Sequence, residues 1–67
     1  MSIGPNTPQM KQLCVKTRKL PELLMDQQLA GRDPPWTIWL VEEDLCFRLE
    51  LRLRCQGYTV VVRPLTT

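Results

Sequence analysis

The chain contains no histidine, and it has only one serine and one tyrosine among its 67 residues. Without histidine, neither a Ser-His-Asp triad nor a Cys-His pair can form, because the general base is missing. No apolar run reaches the roughly 18 residues that a membrane-spanning helix requires. The sequence therefore predicts a protein that binds rather than catalyses. We expect no cofactor and no membrane association.

The cysteines are few and odd in number, three in all. Residues 1–9 lack the apolar stretch of a signal peptide, so we predict a cytoplasmic protein with reduced thiols. On an extended strand, Cys46 and Cys55 would lie roughly 30 Å apart, too far to form a disulfide or to share a metal ion. Cys14 could approach only one of them. We interpret all three as packing residues and expect no metal site.

Length and composition indicate a single small domain over residues 1–67, with residues 1–6 flexible. Apolar residues make up 43% of the chain and charged residues 24%, which is typical of globular proteins. A domain of about 60 residues buries only about 60% of the surface that its unfolded chain exposes, so its core is marginal and a partner is a common support. The net charge of +2 is too small to indicate nucleic-acid binding by itself.

Alternating apolar residues are the strongest pattern in the chain. They predict three antiparallel strands, at about 36–42, 45–55 and 58–63, joined by turns at Glu43–Asp44 and Gln56–Gly57. In that register, every alternating apolar side chain falls on one face of the sheet. The predicted face consists of Trp36, Ile38, Leu40, Phe47, Leu49, Leu51, Leu53, Tyr58, Val60 and Val62.

A short helix at about 21–30 is predicted to cover this face. Pro21 suits the first helical position, and Gly31 together with Pro34 would end the helix. The segment at about 8–19 is ambiguous, because its apolar residues fit both one face of a helix and the alternation of a fourth strand. The predicted fold class is α+β, a three-stranded antiparallel meander with a helix on one face.

The opposite face of the predicted sheet is the first candidate binding site. We predict that Trp39 contacts Arg48 across the strands through a cation–π interaction, and that Glu50 pairs with Arg63. Arginine recognises phosphate and carboxylate groups, so this face could bind nucleic acid or an acidic protein. The same pattern is also typical of the solvated side of an amphipathic sheet. The predicted site residues are Trp39, Arg48, Arg52, Arg54 and Arg63.

Two further surfaces could bind a partner. The first and third predicted strands would each have an unpaired edge, and the run Val60–Val62 favours pairing with a strand of a second copy, which would give a homodimer. Basic residues in the segment at about 8–19 could contact phosphates or could be a solvated face. Those residues are Lys11, Lys16, Arg18 and Lys19.

Two resemblances concern the predicted hairpins. The stretch Leu45–Val62, with a long arginine-bearing strand, a glycine turn and a valine-rich strand, resembles the central hairpin of small RelE-type ribonuclease toxins. The pieces at 12–15, 35–38 and 60–62 resemble the swapped-hairpin fold of small bacterial toxins and regulators. Both resemblances imply β-hairpins, and we transfer no functional residue from either family.

Three functions fit these patterns. The first is a small non-enzymatic interaction protein that docks on another macromolecule, preferably a protein, as an inhibitor, adaptor or regulator of the kind that phages and mobile elements encode. The alternative is a nucleic-acid-binding module that uses the arginine-rich sheet face. A metal-independent ribonuclease using arginines and Tyr58 is a third hypothesis, which the missing general base disfavours.

Overall fold

Four strands, one α-helix and one turn of 3-10 helix make up the computed structural model, which describes residues 9–65. The predicted flexibility of residues 1–6 lies outside the described residues. No helix of the described part of the chain is long and apolar enough to cross a membrane. The strands are β1 (Met10–Lys16), β2 (Gln28–Asp33), β3 (Trp36–Glu42) and β4 (Val60–Pro64), the α-helix is α1 (Glu43–Cys55), and the 3-10 turn is Glu22–Leu24.

The strands form one sheet in the order β2-β3-β1-β4, and every neighbouring pair is antiparallel. Strand β1 lies in the interior of the sheet, where Leu13 faces Trp39 on β3 and Val62 on β4. Of the two readings of the N-terminal segment, the strand is therefore correct. The predicted α+β class, an antiparallel sheet with one helix packed on it, is confirmed, with four strands rather than three.

The strand predicted at about 45–55 is wrong, because these residues form α1. Leucines at 45, 49 and 53 fit an alternating strand, but they also recur every four residues and so form one stripe along a helix. The segment is rich in Leu, Glu and Arg, which favour helices, and it contains no β-branched residue. Glu42 caps the helix by accepting a hydrogen bond from the backbone N–H of Asp44.

The hairpin turn predicted at Gln56–Gly57 is instead the end of α1. Gly57 has φ 96°, a left-handed conformation that glycine adopts without steric cost. Its N–H donates to the carbonyl of Arg54, and the N–H of Tyr58 donates to the carbonyl of Leu53, both at 3.0 Å. These two bonds form a Schellman motif, which ends the helix and turns the chain toward β4. The hairpin that the resemblance to RelE-type toxins implies around this turn is therefore absent from the described residues.

The helix predicted at about 21–30 is also wrong. Only Glu22–Leu24 is helical, as a single 3-10 turn, and the following residues form β2. Helix α1 already covers the sheet, and pairing with β3 satisfies the backbone of this segment instead. A register shift between Leu29 and Gly31 marks a bulge in that pairing. The prediction that this segment helps to cover the sheet holds for Leu24, which is buried in the core.

The core lies between α1 and one face of the sheet, and β3 presents the opposite face from the one predicted. Thr37, Trp39 and Val41 are buried there, whereas Ile38 and its neighbours on the other side of β3 are half-buried. Each side of β3 is apolar apart from one residue, Thr37 on one side and Glu42 on the other, so alternation alone does not choose between them. Phe47 and Leu51 were predicted in the core and are exposed on α1. The core cluster consists of Leu13, Val15, Leu24, Trp39, Val41, Cys46, Leu49, Leu53 and Val60.

Candidate functional site

The five predicted site residues do not share a sheet face. Trp39 is only 2% exposed and lies in the core beneath α1. The predicted cross-strand contact between Trp39 and Arg48 is therefore wrong, because Arg48 is an exposed residue of the helix. Arg52 and Arg54 are also on α1, while Arg63 is on β4. The structure separates these residues into a core residue, a helix surface and a strand.

Arg54 has a structural role that the sequence pattern did not indicate. Its guanidinium donates to Glu50 Oε2 at 2.8 Å and to the carbonyl of Val60 at 2.9 Å. The first contact replaces the predicted pairing of Glu50 with Arg63. The second joins the last turn of α1 to the first residue of β4. Arg54 therefore fixes the helix on the sheet at this point.

One of the two predicted sheet edges is confirmed. Strand β4, predicted at about 58–63, is an edge, whereas β3 has a neighbour on each side and β2 forms the other edge. On β4, the carbonyl of Val60 already accepts the bond from Arg54, and Pro64 has no N–H to donate. These two features remove one acceptor and one donor from the groups that an added strand could use. Homodimer formation through this edge stays a prediction.

A basic cleft lies at the end of the sheet where β1 ends and β2 turns into β3. Its volume is about 820 Å³. In the sheet register Lys16 faces Trp36 and Arg32 faces Thr37, which places basic residues of two strands around the end of β3. The β2–β3 turn, which contains Pro34 and Pro35, forms another wall. We call this site the basic cleft; it is lined by Lys16, Thr17, Arg18, Arg32, Pro34, Pro35, Trp36 and Thr37.

Hydrogen bonds hold the backbone of the basic cleft in place. Thr37 is 2% exposed, and its hydroxyl donates to the carbonyl of Thr17 at 2.9 Å. The hydroxyl of Thr17 in turn accepts a bond from the N–H of Lys19 at 3.1 Å. Arg18 lies in the chain between Thr17 and Lys19, which these bonds hold. The loop that carries its guanidinium is therefore anchored to β3, although the side chain itself is exposed.

The charge of the basic cleft is unbalanced. Its lining includes three cations and no carboxylate. The ion pairs of the described residues join Lys11 to Glu43 and Arg54 to Glu50, so they do not neutralise the cleft. Lys11 was predicted to belong with the other basic residues of the first segment, but its ion pair with Glu43 places it at the opposite end of β1.

The sheet face opposite α1 forms a second surface, which we call the open face. At its centre is a shallow depression of about 180 Å³. Asp33 on β2 and Arg63 on β4 border the depression from the two edge strands. No helix of the described residues lies over this face. The apolar residues that line the depression are Cys14, Trp36, Ile38 and Val61.

The two buried cysteines, Cys14 and Cys46, are unsuited to nucleophilic chemistry. Burial, with a smaller contribution from the nearby Glu50 carboxylate, raises the pKa of the Cys46 thiol to about 11. Burial also raises the pKa of Cys14, against a smaller lowering by Arg63. Both thiols are therefore protonated at neutral pH. The reading of Cys14 and Cys46 as packing residues agrees with their burial, whereas Cys55 is exposed.

Comparison with models of protein families, with curated proteins and with solved structures found no match to the chain. The function must therefore be argued from the two surfaces described above. Sequence reasoning had singled out Lys16 and Arg18, but it missed their neighbours Arg32 and Trp36. The proline pair after Asp33 was a usable signal, since prolines between two apolar segments indicate a turn that brings their ends together.

Proposed function

We propose that the chain is a small non-enzymatic interaction protein that docks on another protein through its open face, as an inhibitor, adaptor or regulator. One observation carries the proposal: Trp36, Ile38 and Leu40 are half-buried on the face of β3 that α1 does not cover. Apolar groups grouped on one side of a small sheet favour association, because covering them removes apolar surface from water.

The charges around the open face favour a protein partner over a polyanion. Asp33 and Arg63 border the depression with one charge of each sign, so the depression itself has no net charge. An apolar centre bordered by polar groups is the usual arrangement of protein interfaces. A partner with an apolar patch and one charge of each sign would fit it.

Two other properties support binding without catalysis. The chain has no histidine, and its buried thiols have pKa values well above neutrality. The three described cysteines are free, which agrees with the cytoplasmic location that we propose from the sequence.

The experiment compares two matched substitutions, Ile38→Asn on the open face and Leu51→Asn on the exposed side of α1. A partner captured from cells is purified, and its Kd is measured by calorimetry. We expect Ile38→Asn to weaken binding by at least about tenfold, a loss of about 1.4 kcal/mol, and Leu51→Asn to change it less than about twofold. Circular dichroism checks that both variants are folded.

The opposite ranking of the two variants would overturn the proposal. Light scattering of the wild-type chain identifies a further contrary outcome. If the chain is a dimer that Ile38→Asn converts to a monomer, the open face is covered by a second copy rather than by another protein.

A further inference from the structure

We propose that the basic cleft binds single-stranded nucleic acid, with Lys16, Arg18 and Arg32 contacting phosphates and one base stacked on Trp36. This site is distinct from the centre of the open face, and the chemistry that it recognises is different. The open face offers apolar contacts with balanced charge, whereas the lining of the basic cleft includes three basic residues and one tryptophan.

The charge of the cleft indicates an anionic ligand. Three cations line it without a carboxylate, and those cations take part in none of the ion pairs of the described residues. Two of the three are arginines, whose guanidinium groups form paired hydrogen bonds with phosphate oxygens. The nearest carboxylate along the chain, Asp33, lines the neighbouring depression instead.

The aromatic ring selects among anions. Trp36 is half-buried, and it lines both the basic cleft and the depression of the open face. In the sheet register Trp36 lies between Lys16 on β1 and Asp33 on β2. An indole beside basic residues is an arrangement with which proteins hold single strands, because every nucleobase has a flat face that stacks on it. An acidic polypeptide has no regular counterpart to those flat faces.

The position of the ring favours single strands over duplexes. Trp36 lies in the cleft beside the β2–β3 turn, so a base must leave its stack to reach the indole. Unstacked bases are available in single strands, whereas a duplex keeps them inside the helix. A duplex could contact the cations but not the ring.

The cleft also lies away from the ends of the described chain. Met10 begins β1 beside Glu42, and Pro64 ends β4 beside Lys11. Lys16 is at the other end of β1, roughly 20 Å away at about 3.3 Å per residue. The basic cleft and the ends of the described chain therefore lie at opposite ends of β1.

The experiment measures fluorescence anisotropy of a labelled oligo(dT) and an oligo(U) of roughly 12 nucleotides, within the range of known single-strand sites. Titrations are run at salt concentrations from about 50 to 200 mM. Three phosphate contacts predict a slope of log K against log salt of about −2. A duplex, a mononucleotide and polyglutamate serve as competitors, and we expect each to compete at least about tenfold more weakly than the oligonucleotide.

The charge test uses the double variant Arg18→Gln/Arg32→Gln. Loss of two of the three phosphate contacts should bring the salt slope to about −0.7 and weaken binding at low salt by at least about tenfold. The matched control is Arg48→Gln/Arg52→Gln, which removes the same charge from α1. It should leave the slope unchanged and alter affinity less than about threefold.

The stacking test uses Trp36→Leu. Removal of the ring should weaken binding about tenfold, as loss of one stacked base does, while the salt slope stays near −2. Ile38→Asn should change oligonucleotide binding less than about twofold. That variant separates the two proposals, because it tests docking on the open face and leaves the cations of the cleft in place.

Three outcomes would overturn the inference. The first is that folded protein gives no anisotropy change at about 50 mM salt. The second is an equal loss of affinity in the cleft variant and its α1 control, and the third is that polyglutamate or a duplex binds as tightly as the single strand. Tighter binding of the mononucleotide than of the oligonucleotide would assign the cleft to a free nucleotide. Each of these results leaves docking on the open face to be judged by its own test.

Discussion

Trp39 and Trp36 lie on the same strand but project from opposite faces of the sheet. Trp39 is 2% exposed beneath α1, whereas Trp36 is half-buried between the open face and the basic cleft. Trp39 packs in the core, and the ring of Trp36 is partly exposed. The difference shows that the position of the covering helix, rather than the apolar character of a residue, decides which side of β3 is core and which stays partly exposed.

The helix covers only part of the sheet. Helix α1 packs against β1, β3 and β4, while almost every residue of β2 is exposed. The basic cleft forms at this uncovered side, where β2 turns into β3. The covered and uncovered regions should therefore respond differently to substitution, in stability on one side and in binding on the other.

The largest expected effect is the loss of Trp39. Trp39→Ala should lower the free energy of unfolding by about 3–5 kcal/mol, because it removes the largest buried side chain and leaves a cavity. Trp36→Ala should cost about 1 kcal/mol or less, since its ring is partly solvated. Urea denaturation followed by circular dichroism measures both. Equal losses in the two variants would break the contrast between the faces.

Alkaline pH should destabilise the covered side. The pKa of Cys46 is raised from 9.0 to about 11 in the folded chain, so the unfolded chain releases this proton first. The contribution of this thiol to the free energy of unfolding is fully present below pH 9. It falls between pH 9 and 11, by up to about 1.4 kcal/mol per pH unit. Urea midpoints across this range measure the loss. Cys46→Ala should flatten the profile and the exposed control Cys55→Ala should not; identical profiles in the two would contradict this.

The end of the covering helix should tolerate little change. Gly57→Ala places a side chain at φ 96° and should cost about 1–2 kcal/mol. Gly31→Ala is the matched control on β2, since a Cβ there meets nothing within 4 Å and no left-handed conformation is required. Thermal unfolding compares the two. If Gly31→Ala loses as much stability as Gly57→Ala, the left-handed conformation at the helix end does not account for the loss.

The smallest effect on stability is expected on the open face. Ile38→Thr keeps a β-branched side chain on a half-exposed site and should cost about 0.5 kcal/mol. Val41→Thr places the same hydroxyl at a fully buried site and should cost about 1–3 kcal/mol. Chemical denaturation of the pair sharpens the comparison within one strand. A larger loss for Ile38→Thr would mean that the open face belongs to the core.

Two of the four strands were predicted from the sequence and β1 was one of two alternatives, whereas β2 and the helix were not predicted. Alternation located the strands at Trp36–Glu42 and Val60–Pro64, since β-branched and aromatic residues fill them. The segment at 45–55 alternates equally well, but its leucines also fit a helix, and its composition of Leu, Glu and Arg was the better guide. Period alone cannot separate these two cases when the apolar residues recur at both two and four positions.

The candidate site was less predictable because it depends on that helix. With 45–55 read as a strand, the arginines appeared to share a sheet face with Trp39; in the structure the helix carries three of them away and buries the tryptophan. Arg32 and Trp36 line one cleft only because β2 pairs with β3, a pairing that the expected helix at 21–30 concealed. Tertiary pairing therefore created the basic cleft, and local pattern could not.

The most direct test of binding on the uncovered side is a titration of the isotopically labelled chain with the oligo(dT), followed residue by residue in two-dimensional NMR spectra. We predict shifts of the backbone amides of Lys16, Arg18 and Arg32 and of the indole N–H of Trp36, with the indole of Trp39 unmoved. Shifts confined to Arg48 and Arg52 on α1, or no shifts at low salt, would contradict the assignment of binding to the uncovered side of the sheet.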